Sequence, residues 1–205
     1  MNETRLLLLS LACFIVCALL GAYVSSRPPM AFDLAAYAIR GSATPLALFF
    51  TALGRWYVLL PLALAGAATA FALRANALAV PALFASQVVA QGANQLLKFA
   101  FDRTRPANAV LPETDLSFPS GHAVTTVVFY FGLLLLVTRS GAVPRVPAAA
   151  IAVALGICII GIPWSRVALG AHYATDVAGG LLFGGGWLCL SLALWYRFAA
   201  SRIGV

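Results

Sequence analysis

Along the chain, apolar runs alternate with short polar breaks, a pattern that predicts six membrane-crossing helices. The runs cover about residues 6–24, 56–73, 77–97, 121–137, 148–164 and 173–196. Each is near the roughly 20 residues that cross the hydrocarbon core. Pro61 falls inside the second run, where neighbouring helices can satisfy the carbonyl it frees. The first run competes with a cleaved signal peptide, but it is long for one and no small-x-small site follows, so a retained helix is expected. Residues 30–50 are apolar but interrupted by Asp33, Arg40, Gly41 and Pro45, which fits a short helix lying at the interface between the first and second crossings. The expected fold class is all-α: one polytopic membrane domain over residues 1–205.

Composition strengthens this picture. Of 205 residues, 62% are hydrophobic and 9% charged, against about a quarter charged in a soluble domain. The formal charge of +7 comes from Lys and Arg spread singly, without the basic run that follows nucleic acid, so no nucleic-acid partner is expected. Cys13, Cys17, Cys158 and Cys189 lie in apolar stretches without metal-ligand spacing and read as small buried hydrophobes. Gly179, Gly180, Gly184, Gly185 and Gly186 in the sixth run read as close helix packing.

Six crossings place both termini on one side. That side carries six basic residues: Arg5, Arg74, Arg139, Arg145, Arg197 and Arg202. The other carries seven: Arg27, Arg40, Arg55, Lys98, Arg103, Arg105 and Arg166. Reserving Lys98, Arg105 and Arg166 for chemistry leaves six against four, which puts the termini in the cytoplasm.

The same parity brings the loop between the third and fourth runs to the same side as the loop between the fifth and sixth. The first holds Lys98, Asp102, Arg103, Arg105, Glu113, Asp115, Ser120 and His122; the second holds Ser165, Arg166, His172 and Asp176. Both histidines of the chain are therefore here, and ionisable groups at a membrane boundary mark a functional site by default. On the third run, Gln87, Gln91, Asn94 and Lys98 follow helical spacing along one face. Gln87 and Gln91 are expected to bond neighbouring helices, while the Lys98 end points to the site.

Three cations such as Lys98, Arg105 and Arg166 repel unless an anion lies between them, and two guanidinium forks with one ammonium match a phosphoryl group. Pro119 and Ser120 suit a helix start, whose backbone N–H groups favour an anion; Gly121 permits close approach, and His122 follows on the first turn. His172 and Asp176 are four residues apart on one helix face, so the carboxylate can fix the imidazole tautomer and leave the second nitrogen free. Either histidine alone could be a helix-start residue without chemistry; the convergence of all these groups on one face is what points to a site. Asp102, Arg103, Glu113 and Asp115 are read as solvating or ordering the loop.

This pattern resembles the phosphatidic acid phosphatase type 2 superfamily. Lys98, six residues and Arg105-Pro106 match its first motif, Pro119-Ser120-Gly121-His122 its second, and Ser165-Arg166, five residues, His172, three residues, Asp176 its third. The resemblance is strongest to small bacterial members of the phosphatidylglycerophosphate phosphatase B type, which carry a segment similar to Thr51, Ala52, Leu53 and Gly54. It implies a lipid phosphatase in the bacterial inner membrane with its site facing the periplasm. His172 would be the nucleophile, Asp176 its orienting partner and His122 the general acid and then base. Lys98, Arg105, Ser120, Gly121 and Arg166 would bind the phosphoryl oxygens, with no metal or other cofactor. The substrate implied is a lipid phosphate or diphosphate: phosphatidylglycerophosphate, phosphatidic acid or undecaprenyl diphosphate. A lipid phosphotransferase shares the same motifs. The related vanadium haloperoxidases are soluble, unlike a chain with these runs. A lipid or anion transporter would place its polar residues nearer the midplane.

Overall fold

The computed structural model describes the backbone of residues 2–203, except 42, 77 and 112, and side chains as far as Arg197. Secondary structure among the described residues is helical throughout. The elements are α1 (Glu3–Ser25), α2 (Ala31–Tyr37), α3 (Thr44–Leu53), α4 (Trp56–Ala72), α5 (Ala79–Phe101), α6 (Gly121–Thr125), α7 (Gly132–Arg139), α8 (Arg145–Ala168) and α9 (Ala174–Ile203). A π-helical stretch, Thr126–Phe131, joins α6 to α7, so the three run on as one 19-residue span, Gly121–Arg139. The expected start of the third run at Ala77 lies outside the described residues, as does the side chain of Arg202.

Among the described residues, four helices are long and apolar enough to cross a membrane: α1, the α6–α7 rod, α8 and α9. A fifth crossing arises if α3 and α4, bent by 53° at Gly54 and Arg55, form one span. Helix α5 is as long as α1, at 23 residues each, but Gln87, Gln91, Asn94, Gln95 and Lys98 dilute its apolar character. The single interfacial helix expected over residues 30–50 is instead two helices, α2 and α3. Gly41 turns the chain between them at φ 79°, Pro45 sits in the first turn of α3, and the Gly41 N–H donates to Ala168 O at 2.8 Å.

Helix α1 lies along α9, and α3 along α8. The α6–α7 rod runs between α5, α8 and α9. Close approach to α9 depends on missing side chains: a Cβ on Gly179 would strike the Phe118 ring, one on Gly180 the Ser120 carbonyl, and one on Gly186 the Phe14 ring. Gly184 is tight against Val124 and Val127, whereas Gly185 meets only Cys13 at the edge of contact. The buried Phe118, Val124, Val128 and Phe183 fill the centre of this packing, while Leu19, Val146 and Ile160 face outward. On α5 the expected bonds between helices are present. Gln87 Nε2 donates to Thr125 Oγ1 at 2.7 Å, and Gln91 Nε2 donates to the same hydroxyl and to Gly121 O, each at 2.8 Å. These bonds fix the start of α6 against the polar face of α5.

Candidate active site

The starts of α6 and α9 meet directly, because Ser120 N donates to Asp176 O at 3.0 Å. That contact brings both motif-bearing loops to one end of the bundle. His122 and His172 line a single cleft of about 370 Å³ together with Lys98, Arg105 and Gly121. The other three predicted residues, Arg166, Asp176 and Ser120, are fully buried.

His172 sits in the turn between α8 and α9, where the N–H groups of Ala171 and His172 both donate to Arg166 O. Its Nδ1 faces Asp176 Oδ2 at 3.5 Å. The same oxygen accepts from Ser117 Oγ at 2.5 Å and from Tyr173 N at 2.8 Å. Asp176 Oδ1 accepts from Arg103 at 2.5 Å. The second nitrogen, Nε2, turns toward Arg105 at 3.1 Å. Burial, and then the charges of Arg105, Arg166 and Lys98, hold His172 well below its ordinary value of 6.5, so the imidazole is neutral at neutral pH.

The three predicted cations gather around two carboxylates from the loop between α5 and α6. Lys98 Nζ donates to Asp115 Oδ2 at 2.5 Å and to Leu116 O at 2.6 Å. Arg105 reaches Asp115 Oδ1 at 2.5 Å and Glu113 Oε2 at 3.0 Å. Arg166 donates to Glu113 Oε1 at 2.5 Å and to Thr51 Oγ1. Burial raises the Asp115 carboxyl, but the Lys98 hydrogen bond and the charges of Lys98 and Arg105 outweigh it and hold it at about 2. Two buried donors at the cluster, Ser120 Oγ and Arg166 Nε, have no hydrogen-bond partner among the described residues. Ser120 occupies the N-cap position of α6 without capping it through its side chain. Buried polar groups are rarely left unpaired, and unpartnered donors on Ser120 and Arg166 suit an acceptor such as an anion.

His122 is fixed from the other side by the last turn of α3. Carbonyls in that turn keep accepting capacity for side chains: Thr51 O takes only the Gly54 N–H, at 3.2 Å, from its own helix end. His122 Nε2 donates to Thr51 O at 3.1 Å and Tyr130 Oη to Leu53 O at 2.7 Å. Since a carbonyl only accepts, His122 carries its proton on Nε2, and Nδ1 is its basic nitrogen. Gly54 makes this approach possible, because a Cβ there would overlap the His122 ring.

Several residues with a part in this arrangement escaped the sequence reading. Arg103, read as a loop residue, is buried and bridges Asp176 to Asp33. Glu113 and Asp115, read the same way, neutralise the predicted cations. Asp33, read as an interruption in residues 30–50, is fully buried. A charge inside an apolar stretch needs a partner, so Asp33 did carry a signal; Ser117 carried none.

A family model for the PAP2 superfamily matches residues 78–200. The chain is 42% identical over 80 residues to the lipid A 1-phosphatase of Rhizobium etli, a match covering 39% of this chain and 29% of that protein. It is 37% identical over 99 residues to the phosphatidylglycerophosphatase B of Bacillus subtilis, covering 44% and 45%. The matches thus span less than half the length of these curated relatives. The fold is similar to the crystal structure of a transmembrane PAP2-type phosphatidylglycerolphosphate phosphatase from Bacillus subtilis, with a TM-score of 0.72 at 24% identity over 93% of this chain and 96% of that one.

Proposed function

The chain belongs to the PAP2 superfamily, and from that premise we propose that it is an integral-membrane lipid phosphatase with His172 as its nucleophile. The observation that carries this reading is the single cleft lined by His172, His122, Lys98 and Arg105, which come from three motif stretches far apart in sequence. The two unpartnered donors, Ser120 Oγ and Arg166 Nε, support a phosphoryl group there.

In the first step His172 Nε2 attacks phosphorus, forming the P–N bond as the bond to the lipid oxygen breaks. The leaving oxygen keeps the electron pair and takes the Nδ1 proton of His122, which enters this step as the imidazolium beside the incoming phosphate, while its Nε2–H stays on Thr51 O. Water then attacks phosphorus, His122 accepts its proton, and the P–N bond breaks to return the electron pair to Nε2 and release phosphate. Asp176 orients Nδ1–H and stabilises the positive charge that the ring gains. Lys98, Arg105 and Arg166, with Ser120 Oγ and the Gly121 N–H, neutralise the charge on the equatorial oxygens. The incoming phosphoryl group replaces Glu113 and Asp115 as partner of these cations.

In this reading the chain crosses a bacterial inner membrane six times, with α4 and α5 each counted as a crossing and with α2 and α3 at the periplasmic surface beside the site. Helix α5 supports the count because it is inverted for water. It buries Asn94 and Lys98 while Leu96 and Phe99 stand 71% and 75% exposed, the arrangement suited to lipid outside and a polar bundle inside. The termini are then cytoplasmic.

The substrate is a lipid carrying a terminal phosphate or diphosphate. A panel of phosphatidylglycerophosphate, phosphatidic acid, undecaprenyl diphosphate and lipid A bearing a 1-phosphate tests the reading. The purified protein should release phosphate from at least one of them. His172→Ala, still helical and monodisperse, should release none above background. Release at the wild-type rate by His172→Ala, or phosphate left on another lipid with none freed, overturns it.

A further inference from the structure

Asp33 lies on α2, outside the residues matched by the family model and outside all three motifs. It is nevertheless among the most buried charges in the protein, with no exposed surface. Its Oδ1 accepts from Thr175 N at 2.9 Å, and its Oδ2 from Thr175 Oγ1 at 2.9 Å and from Arg103 Nη2 at 3.0 Å. Arg103 Nη1 in turn donates to Asp176 Oδ1 at 2.5 Å and to Thr175 Oγ1 at 2.7 Å, while its guanidinium lies 4.7 Å from the Tyr173 ring centroid. One arginine is thus shared, through its two terminal nitrogens, between two buried carboxylates. Its fork geometry suits this, where a lysine would offer a single point of charge.

The consequence is electrostatic. Arg103 alone beside Asp176 would form a neutral pair, and the carboxylate would have little charge left to stabilise the His172 ring. With Asp33 on the other branch, the group of three carries one net negative charge, and it lies against His172 Nδ1. The simpler account is that Asp33 only closes helix ends: its Oδ2 also accepts from Met30 N at 3.4 Å at the start of α2. That account leaves unexplained why a buried arginine joins it to Asp176.

We propose that Asp33 is a positioning residue for the His172–Asp176 pair, acting through Arg103 to hold Asp176 in place with its negative charge uncancelled. The proposal rests on the reading of His172 as nucleophile. It assigns to α2 a part in catalysis that neither the motifs nor the matched region carries.

Asp33→Asn keeps the shape of the side chain and removes its charge. In the purified full chain it should lower kcat about tenfold or more, the scale seen when an outer partner of a ligating histidine is lost, with KM within about twofold. The acid limb of kcat/KM, which reports His172 losing its proton in the free enzyme, should move to lower pH, because removing negative charge disfavours the imidazolium. Lys98, Arg105, Asp115 and Arg166 also face His172, as do His122 and Asp176; the substitution leaves all of them in place. A cap lost from α2 would lower stability without moving the pH profile. Arg103→Lys supplies a second reading if Asp33→Asn fails to fold: it keeps the charge, loses the fork, and should lower kcat at unchanged KM.

An unchanged kcat with an unmoved acid limb in Asp33→Asn, or an unchanged kcat in Arg103→Lys, overturns the proposal. Loss of activity in His172→Ala alongside a fully active Asp33→Asn would leave the phosphatase reading standing and remove this one. A wild-type protein that releases no phosphate from any lipid on the panel would remove both.

Discussion

At the scale of single residues, the site depends on a histidine kept neutral by burial and then by the positive charges around it. His172 is held well below 6.5, and a neutral imidazole is what nucleophilic attack requires. The folded chain therefore resists protonating it. This group contributes stability that is present above pH 6.5 and lost as pH falls below it. Asp115, held at about 2 against an ordinary 3.8, works in a lower window: its contribution is present above 3.8 and lost as pH falls toward 2. Activity followed from neutral to acid pH should show the acid limb of kcat/KM below 6.5. A limb at or above that value would mean that burial and the charges of Arg105, Arg166 and Lys98 do not lower His172.

At the scale of elements, α3 sets the position of His122 by ending where it does. Thr51 O holds the ring, Thr51 Oγ1 holds Arg166, and Gly54 leaves the room between them. Gly54 has a φ of −80°, which alanine adopts without strain, so the effect of Gly54→Ala is steric. The added methyl should displace the His122 ring, lowering kcat about 10²-fold and stability by about 1–3 kcal/mol. Steady-state kinetics and thermal unfolding of the purified variant check both, and wild-type kcat in Gly54→Ala would show that the ring has freedom to move. Much of this level was readable in the sequence. The apolar runs mark the long helices to within about four residues, except that α9 runs on to Ile203, and the glutamines of α5 bond to α6 as their spacing suggests. The break of residues 30–50 into α2 and α3 was less readable, because it depends on Gly41 being tied to the end of α8, a contact between distant parts of the chain.

At the scale of the whole molecule, two loops and the short helices α2 and α3 close around one end of a helical bundle. Motif spacing picked out residues that the fold gathers at that end, because each motif is local: a helix start, a pair four residues apart, a cation in a last turn. The partners of those residues are not local. Arg103 meets Asp33 across 70 positions and Asp176 across 73, and no periodicity records such a pairing. The loop carboxylates Glu113 and Asp115 also looked like solvated charges until the fold set them against the cations. The central claim, that this assembly moves a phosphoryl group through His172, is tested most directly by trapping the intermediate. Rapid quenching of the purified protein with a lipid substrate carrying labelled phosphate should give protein-bound phosphate that is acid-labile, alkali-stable and located on His172. Phosphate release without any such adduct, or an adduct that still forms in His172→Ala, would contradict the account.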